Sequence, residues 1–465
     1  MNNYRRLVTG ILCLLFLLSI TACKVPMPGR VLLTTPPSSN ARTPVAAVGA
    51  DGTRHFAWTE QVGIKQGMVY ARAYPDGRFY QAIWSSPTSG THYGNPDLVV
   101  TDNGIAYLSY TAINYDGTPG GIWSAHYSAF PAGWLGTTPL VYSAGVGERD
   151  LKLVQRGNTV YVLGYASADD TSSSITYKQL YGAIRQGLVA WEDGWFATVS
   201  NAVIDAAGDL HVAFRSYYHI GTDDRIGYAS NVGSLGDMAA PVYETVSAGF
   251  PAPSIARAEE TDDIFVAYAV QGTPSDSLYV WRPHPAPATG PVSRALGPAT
   301  NWSINGSPAI VATGTNYYQV IFSASNSASA DTEIWTYGSS SSSPYQVTND
   351  TVGDGPPVAA RIIGDFNGSP VEFPMYAWRT TYLDPGPPPT TCYGNVKVVA
   401  DGSLAPHPRT IFQNKALTCA NPGYDLAVNG DRGLGVWLDI RDGSSILEPW
   451  YSVDGVEVFI PAIRK

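Results

Sequence analysis

Along this chain one alternation of apolar and polar positions keeps returning. A short apolar strand runs into a turn holding Gly, Asn or Asp, and a second, alternating strand leaves the turn and ends on an aromatic residue. The clearest copies are PVAAVGADGTRHFAW (44–58), PDLVVTDNGIAYLSY (96–110), NAVIDAAGDLHVAF (201–214) and YDLAVNGDRGLGVW (424–437). Weaker copies are RDLKLVQRGNTVYVLGY (149–165), PSIARAEETDDIFVAY (253–268), PAIVATGTNYYQVIF (308–322) and PVAARIIGDFNGSPVEFPMYAW (357–378). The closing aromatics are Trp58, Tyr110, Tyr165, Phe214, Tyr268, Phe322, Trp378 and Trp437, spaced 49 to 59 residues apart.

A period near fifty residues is the length of a four-stranded unit. Third strands follow the aromatics, as in MVYARAY (68–74), GIWSAHY (121–127), RIGYAS (225–230), EIWTYG (333–338) and EPWYSV (448–453). Fourth strands follow those, as in RFYQAIW (78–84), PVYETV (241–246) and RTIFQN (409–414). The prediction is an all-β chain, a β-propeller of about eight four-stranded blades, or seven if the long seventh copy with its DPGPPPTT insertion is not a full blade. One blade exposes both faces of its sheet, and a ring packs each blade between two neighbours. The repeated aromatics are therefore expected in the core, not on a ligand-binding ladder. RVLLTTPP (30–37) and VEVFIPAI (456–463) both read as fourth strands able to close the ring, with the C-terminal one favoured.

Composition agrees with short strands and many turns: Gly 47, Pro 35 and Tyr 29 against only 14% charged residues. A formal charge of -10 without any Lys/Arg run argues against nucleic acid and against anionic lipid surfaces as partners.

The N-terminus reads as a targeting segment. MNNYRRLVTG supplies Arg5 and Arg6, ILCLLFLLSI an apolar run too short for a comfortable span, and ITAC (20–23) small residues before a cysteine. This resembles the lipobox of bacterial lipoproteins, which implies a signal peptide over 1–22, lipid on Cys23 and a place in the cell envelope; a tether or extra strand then occupies 23–43, and the repeat assigns one propeller domain to 44–465. The alternative is a plain secretory signal with an incidental cysteine. Cys13 leaves with the signal, and Cys392 and Cys419 remain as an even pair, predicted to form a disulfide that ties the last two repeats, with free thiols as the alternative.

The turns AYPDGRF (73–79), VADGSL (399–404) and SVDGVEV (452–458), with the VAW and VWLD strands, resemble worn Asp-box turns of the sialidase-like propellers. No turn has the complete pattern, and the RIP motif is absent. A sialidase-like site implies arginines clustered on a substrate carboxylate, a Tyr nucleophile and an Asp acid/base. The positions that match are Arg215, Arg379 and Arg441 after second strands, with Tyr217, Tyr382, Asp223, Asp224, Asp439 and Asp442 nearby. The alternative is that these arginines make salt bridges between blades.

Loops joining second to third strands, and one blade to the next, line one face of a propeller. Here they include SGTHYGNPD (89–97), INYDGTPGG (113–121), YYHIGTDDR (217–225) and NWSINGSP (301–308). Their His92, Tyr93, Tyr115, Tyr218, His219 and Trp302 suit a carbohydrate or peptide. GDFNGSPVEF (364–373) has the look of a calcium turn but lacks further carboxylates, so structural calcium is a minor expectation and no other cofactor is implied. The seven histidines show no metal spacing, and no GxSxG elbow, P-loop or dinucleotide fingerprint occurs. The expected function is a monomeric, lipid-anchored propeller that binds a carbohydrate or protein partner without chemistry. The alternatives are a sialidase-like hydrolase or lyase, and a scaffold subunit of an envelope complex.

Overall fold

The computed structural model describes the chain between residues 40 and 453, with its longest gaps at 131–139, 285–300, 384–391 and 400–408; from residue 381 onward it describes strand backbone. The predicted signal peptide, Cys23 and both ring-closing strand candidates lie outside the described residues. Among the described residues every regular element is a strand, and helix is absent.

The strands group in chain order into antiparallel meanders. The second strand of each carries the repeat's aromatic: Arg54–Val62, Ala106–Asn114, Thr159–Ser167, Leu210–Tyr218, Ile264–Val270, Tyr317–Asn326, Ser369–Leu383 and Arg432–Ile440. Each lies between a first and a third strand of its own meander. The first two meanders join in one sheet through a single parallel bridge, Gln66 to His92. The fifth and eighth show three strands among the described residues. In the fifth, the stretch where a fourth strand was expected falls largely within 285–300.

The turn between first and second strands explains why one phrase recurs. Gly49 N donates to Thr53 O (2.8 Å), Thr101 N to Ile105 O (2.9 Å) and Asp205 N to Asp209 O (3.0 Å), at matching places in three meanders. Inside each of these turns sits a glycine with positive φ, Gly52 (79°), Gly104 (80°) and Gly208 (84°). A side chain there would strain the left-handed backbone, which is why Gly is written at each.

First strands run Asn40–Val48, Thr91–Val100, Glu148–Arg156, Trp195–Ile204, Ser254–Arg257, Ala309–Thr313, Val358–Phe366 and Tyr424–Asn429. Each packs against the next, and the last packs against the first. Apolar side chains fill the spaces between consecutive meanders as separate cores, one of which holds Tyr161, Leu163 and Ile175 of the third with Leu210, Val212 and Phe214 of the fourth. Trp58, Tyr110, Phe214, Tyr268, Phe322 and Trp378 are buried as expected, Tyr165 is half-buried, and Trp437 falls among residues of backbone description. Cys392 opens the third strand of the seventh meander, with Leu417 of its fourth strand as Cα partner; Cys419 is outside the described residues.

The repeat also buries polar groups at matching places. His55, three residues before Trp58, meets the Tyr70 hydroxyl through Nδ1 (2.7 Å), and His211, three residues before Phe214, meets Tyr228 in the same way (2.6 Å). Arg72 Nε donates to the Tyr70 oxygen (2.6 Å), which leaves the hydroxyl hydrogen for His55. In this buried setting His55 is uncharged. Burial, reinforced by the Arg72 charge and opposed by Asp51, pushes it down to about 3.

Two predictions follow from this packing. Gly227 faces the buried Phe214 ring, and a Cβ there would come within 2.2 Å of it. Gly227→Ala should cost about 1–3 kcal/mol by chemical denaturation, and less in a Phe214→Leu background, because overpacking is relieved when the ring is removed. For His55, the unfolded chain takes up a proton from about pH 6.5 downward while the fold refuses it until about pH 3. Its contribution is present above the unfolded value and is lost on acidification, at about 1.4 kcal/mol per pH unit inside that window. His55→Gln should flatten this acid slope in a pH series of denaturation curves.

Candidate functional site

Among the described residues three exposed aromatics, Trp191, Tyr217 and Tyr218, belong to the fourth meander or the connection entering it, while Phe79, Tyr317 and Tyr345 are exposed singly elsewhere. The strands of the fourth meander are Trp195–Ile204, Leu210–Tyr218, Asp223–Ser230 and Val242–Ser247. Trp195 is the Cα partner of Tyr218 and Phe196 of Tyr217, while Tyr217 also partners Asp224 and Ser216 partners Arg225. Since neighbouring residues on a strand point to opposite faces, this register creates two different surfaces at one strand end.

On one face the Trp195 and Tyr218 rings lie 5.3 Å apart. The Arg225 guanidinium sits over Trp195 at 3.3 Å and over Tyr243 at 4.0 Å, and Arg225 Nη2 donates to Glu192 Oε2 at 2.6 Å. On the other face Phe196 and Tyr217 stack at 5.3 Å with 20° between planes, and Arg215 lies 5.6 Å from the Tyr217 ring centroid. Arg215 Nη2 donates to the buried Asp224 carboxylate at 2.6 Å. Trp191, in the connection entering this meander, is 55% exposed, and Tyr217 and Tyr218 are 36% and 37% exposed. Gly194 (φ 78°) lets that connection pass the Tyr218 ring, since a Cβ would meet it at 2.8 Å.

The electrostatics are balanced. Each arginine has a carboxylate partner, so neither presents an uncompensated cation. Partial burial pushes the Tyr217 hydroxyl up, and Tyr165 and Asp224 add to this against the opposing Arg215 charge. The phenol is thus a hydrogen-bond donor near neutral pH and a poor nucleophile. Flat apolar rings beside fixed polar groups suit a ligand with apolar faces and hydroxyl edges.

Of the residues singled out in the sequence, the structure gathers Arg215, Tyr217, Tyr218 and Asp224 here, with Asp223 opening the third strand. The arginine pairs within its own meander, not between neighbours. Arg379 is buried on the second strand of the seventh meander, where its carbonyl accepts from Gly355 N at 2.7 Å. Tyr382 follows on that strand, and Asp439 is on the second strand of the eighth opposite Glu448. Arg441, Asp442, Tyr115 and His219 lie outside the described residues.

Trp302, expected on an exposed loop, is a correction: it is buried in the core between the fifth and sixth meanders, with its ring edge-on to Trp335 at 4.7 Å. Its indole packs against Phe322 and Trp335. His92 and Tyr93 are half-buried on the first strand of the second meander, Tyr93 edge-on to Tyr110 at 5.4 Å. Among the described residues no group of three or more His, Cys, Asp or Glu is placed to hold a metal ion. Trp191, Glu192, Trp195, Phe196, Arg225 and Tyr243 were missed. The signal was present in WEDGWF (191–196), a turn bracketed by aromatics just before a repeat.

No family model matches the chain, and no curated protein sequence matches it. Solved structures do resemble it. One is a protein of unknown function from Dyadobacter fermentans DSM 18053, at 12% identity and a TM-score of 0.41, covering 66% of this chain and 96% of that one. Another is the polysaccharide lyase Uly1, at 7% identity and a TM-score of 0.43, covering 90% of each chain. A third is a PL25 ulvan lyase bound to -[GlcA(1-4)Rha3S]-, at 14% identity and a TM-score of 0.43, covering 78% of this chain and 94% of that one. What the aromatic end of the fourth meander can do follows from its own side chains.

Proposed function

We propose that the chain is an eight-bladed β-propeller, held outside the cytoplasm by lipid on Cys23, that binds a carbohydrate through the aromatic end of its fourth blade without transforming it. The observation that carries this reading is the placement of two ring pairs, Trp195 with Tyr218 and Phe196 with Tyr217, on opposite faces of one strand end, with Trp191 exposed beside them. The blade assignment draws on the succession of first strands, which returns to its start. The rings offer stacking surfaces for the C–H faces of sugars, and Tyr217 and the exposed Glu192 offer a donor and an acceptor for hydroxyls. A Cys392–Cys419 disulfide completes the reading in an oxidising compartment.

A lyase or hydrolase reading draws on one observation, the contact among Arg215, Tyr217 and Asp224. It is weaker, because the Arg215 charge is already met by Asp224.

The test is binding of neutral and acidic oligosaccharides to the detergent-solubilised protein by calorimetry, with product release followed in parallel. Trp191→Ala and Tyr218→Ala should each weaken sugar binding about 5- to 10-fold, matching the loss of an aromatic contact worth about 1 kcal/mol. Wild-type affinity in both variants overturns the binding site, and release of new reducing or unsaturated ends overturns the non-catalytic reading. The anchor is tested separately: Cys23→Ala should abolish palmitate incorporation and move the protein out of the membrane fraction.

A further inference from the structure

At the turn ends of the first strands, opposite the aromatic cluster, three arginines from three non-neighbouring meanders converge on one carboxylate. Arg156 ends the first strand of the third meander, Arg257 ends that of the fifth, and Arg361 lies on that of the seventh. Arg257 and Arg361 hold the same place in the repeat: their Cα partners, Ile264 and Pro374, each precede the repeat aromatic, Tyr268 or Trp378, by four residues. Glu259, in the turn after Arg257, receives all three. Its Oε2 lies 3.3 Å from Arg156 Nη2, and its Oε1 lies 3.1 Å from Arg361 Nη2 and also contacts Arg257 Nη2.

Each guanidinium is anchored from its other end. Arg156 Nη1 donates to Asp205 O at 2.5 Å, Arg257 Nη1 to Asp262 at 2.5 Å, and Arg361 Nη1 to Glu372. The three Nη2 groups are therefore held in place independently of Glu259 and aimed at a common point. Preorganised donors of this kind recognise an anion without paying again for their own ordering. Three cations less the charges of Asp262 and Glu372 leave one net positive charge when Glu259 is set aside, which a single monoanion balances. Side chains of Arg156, Arg361 and Glu259 are 25–35% exposed, so the point is reachable from solvent. Burial pushes the Glu259 carboxyl up, but the hydrogen bond and charge of Arg257, with Arg361 and Arg156, outweigh it and hold the group below the usual carboxylate range.

We propose that Arg156, Arg257 and Arg361 form a binding pocket for one carboxylate, and that Glu259 is its built-in occupant, with which an external carboxylic acid must compete. The pocket is separate from the aromatic end of the fourth meander, and neither depends on the other.

The test uses the full chain, its unfolding followed by intrinsic tryptophan fluorescence in sodium acetate, sodium sulfate and sodium chloride at matched ionic strength. Glu259→Ala empties the pocket, whereas Glu259→Gln keeps it filled with an amide. Glu259→Ala should melt below the wild type and recover at least half of the loss in acetate, saturably, with little recovery in chloride or sulfate. Glu259→Gln and the wild type should respond to acetate no more than to chloride, and adding Arg361→Ala to Glu259→Ala should abolish the recovery. If Glu259→Ala does not fold in chloride, its refolding yield in acetate against chloride gives the same readout. Recovery that is equal in acetate and sulfate, or that survives Arg361→Ala, overturns the proposal, as does a Glu259→Ala protein that melts like the wild type.

Discussion

The constraint on which the rest depends is that a short antiparallel meander has two apolar faces and cannot cover either by itself. Among the described residues the second to sixth meanders are each satisfied from both sides. Phe214 and Val212 point toward the third meander, while Ala213 and Ile226 point toward the fifth. Strand alternation does this without special residues, since successive side chains on Leu210–Tyr218 serve different cores. The apolar run that a lone strand would have to hide becomes the reason for a neighbour, and the succession stops when the last first strand reaches the first one.

Much of this was legible in the sequence, for a physical reason. Strand alternation and the glycine-bearing turn are local, so Gly52, Gly104 and Gly208 mark the same backbone event wherever the phrase is written. The site was less legible. Tyr217, Tyr218 and Arg215 were visible as polar and aromatic residues at a strand end. The rings they meet, Trp195 and Phe196, come from a different strand, and only register brings them together. Trp302 shows the opposite failure: its polar neighbours Asn301 and Ser303 look like loop, yet the indole closes a core. The arginines failed for a third reason. Which guanidinium meets which carboxylate depends on contacts between residues as much as 103 positions apart, as with Arg156 and Glu259, and no local pattern records these.

Charge is handled in one consistent way. With 38 acidic and 28 basic side chains in 465 residues, arginine is scarce, and where described it is commonly matched on the spot. Arg215 has Asp224, Arg225 has Glu192, Arg185 has Asp209 and Arg282 has Asp263. Such pairs add little stability where they are exposed. They do keep the strand ends from carrying strong local fields, which favours recognition by shape and stacking over recognition by charge. The buried histidines act in the same spirit, neutral or paired, as His211 is with Asp205 at 3.2 Å.

The division of the interior into separate cores has an evolutionary consequence. A substitution in the space between two meanders is felt by those two and hardly by a meander across the molecule. Each copy of the ancestral phrase is then free to drift on its own schedule, answering to its immediate neighbours and not to a common consensus. Eight versions of one sentence, some clear and some worn nearly past reading, are what such a history leaves behind.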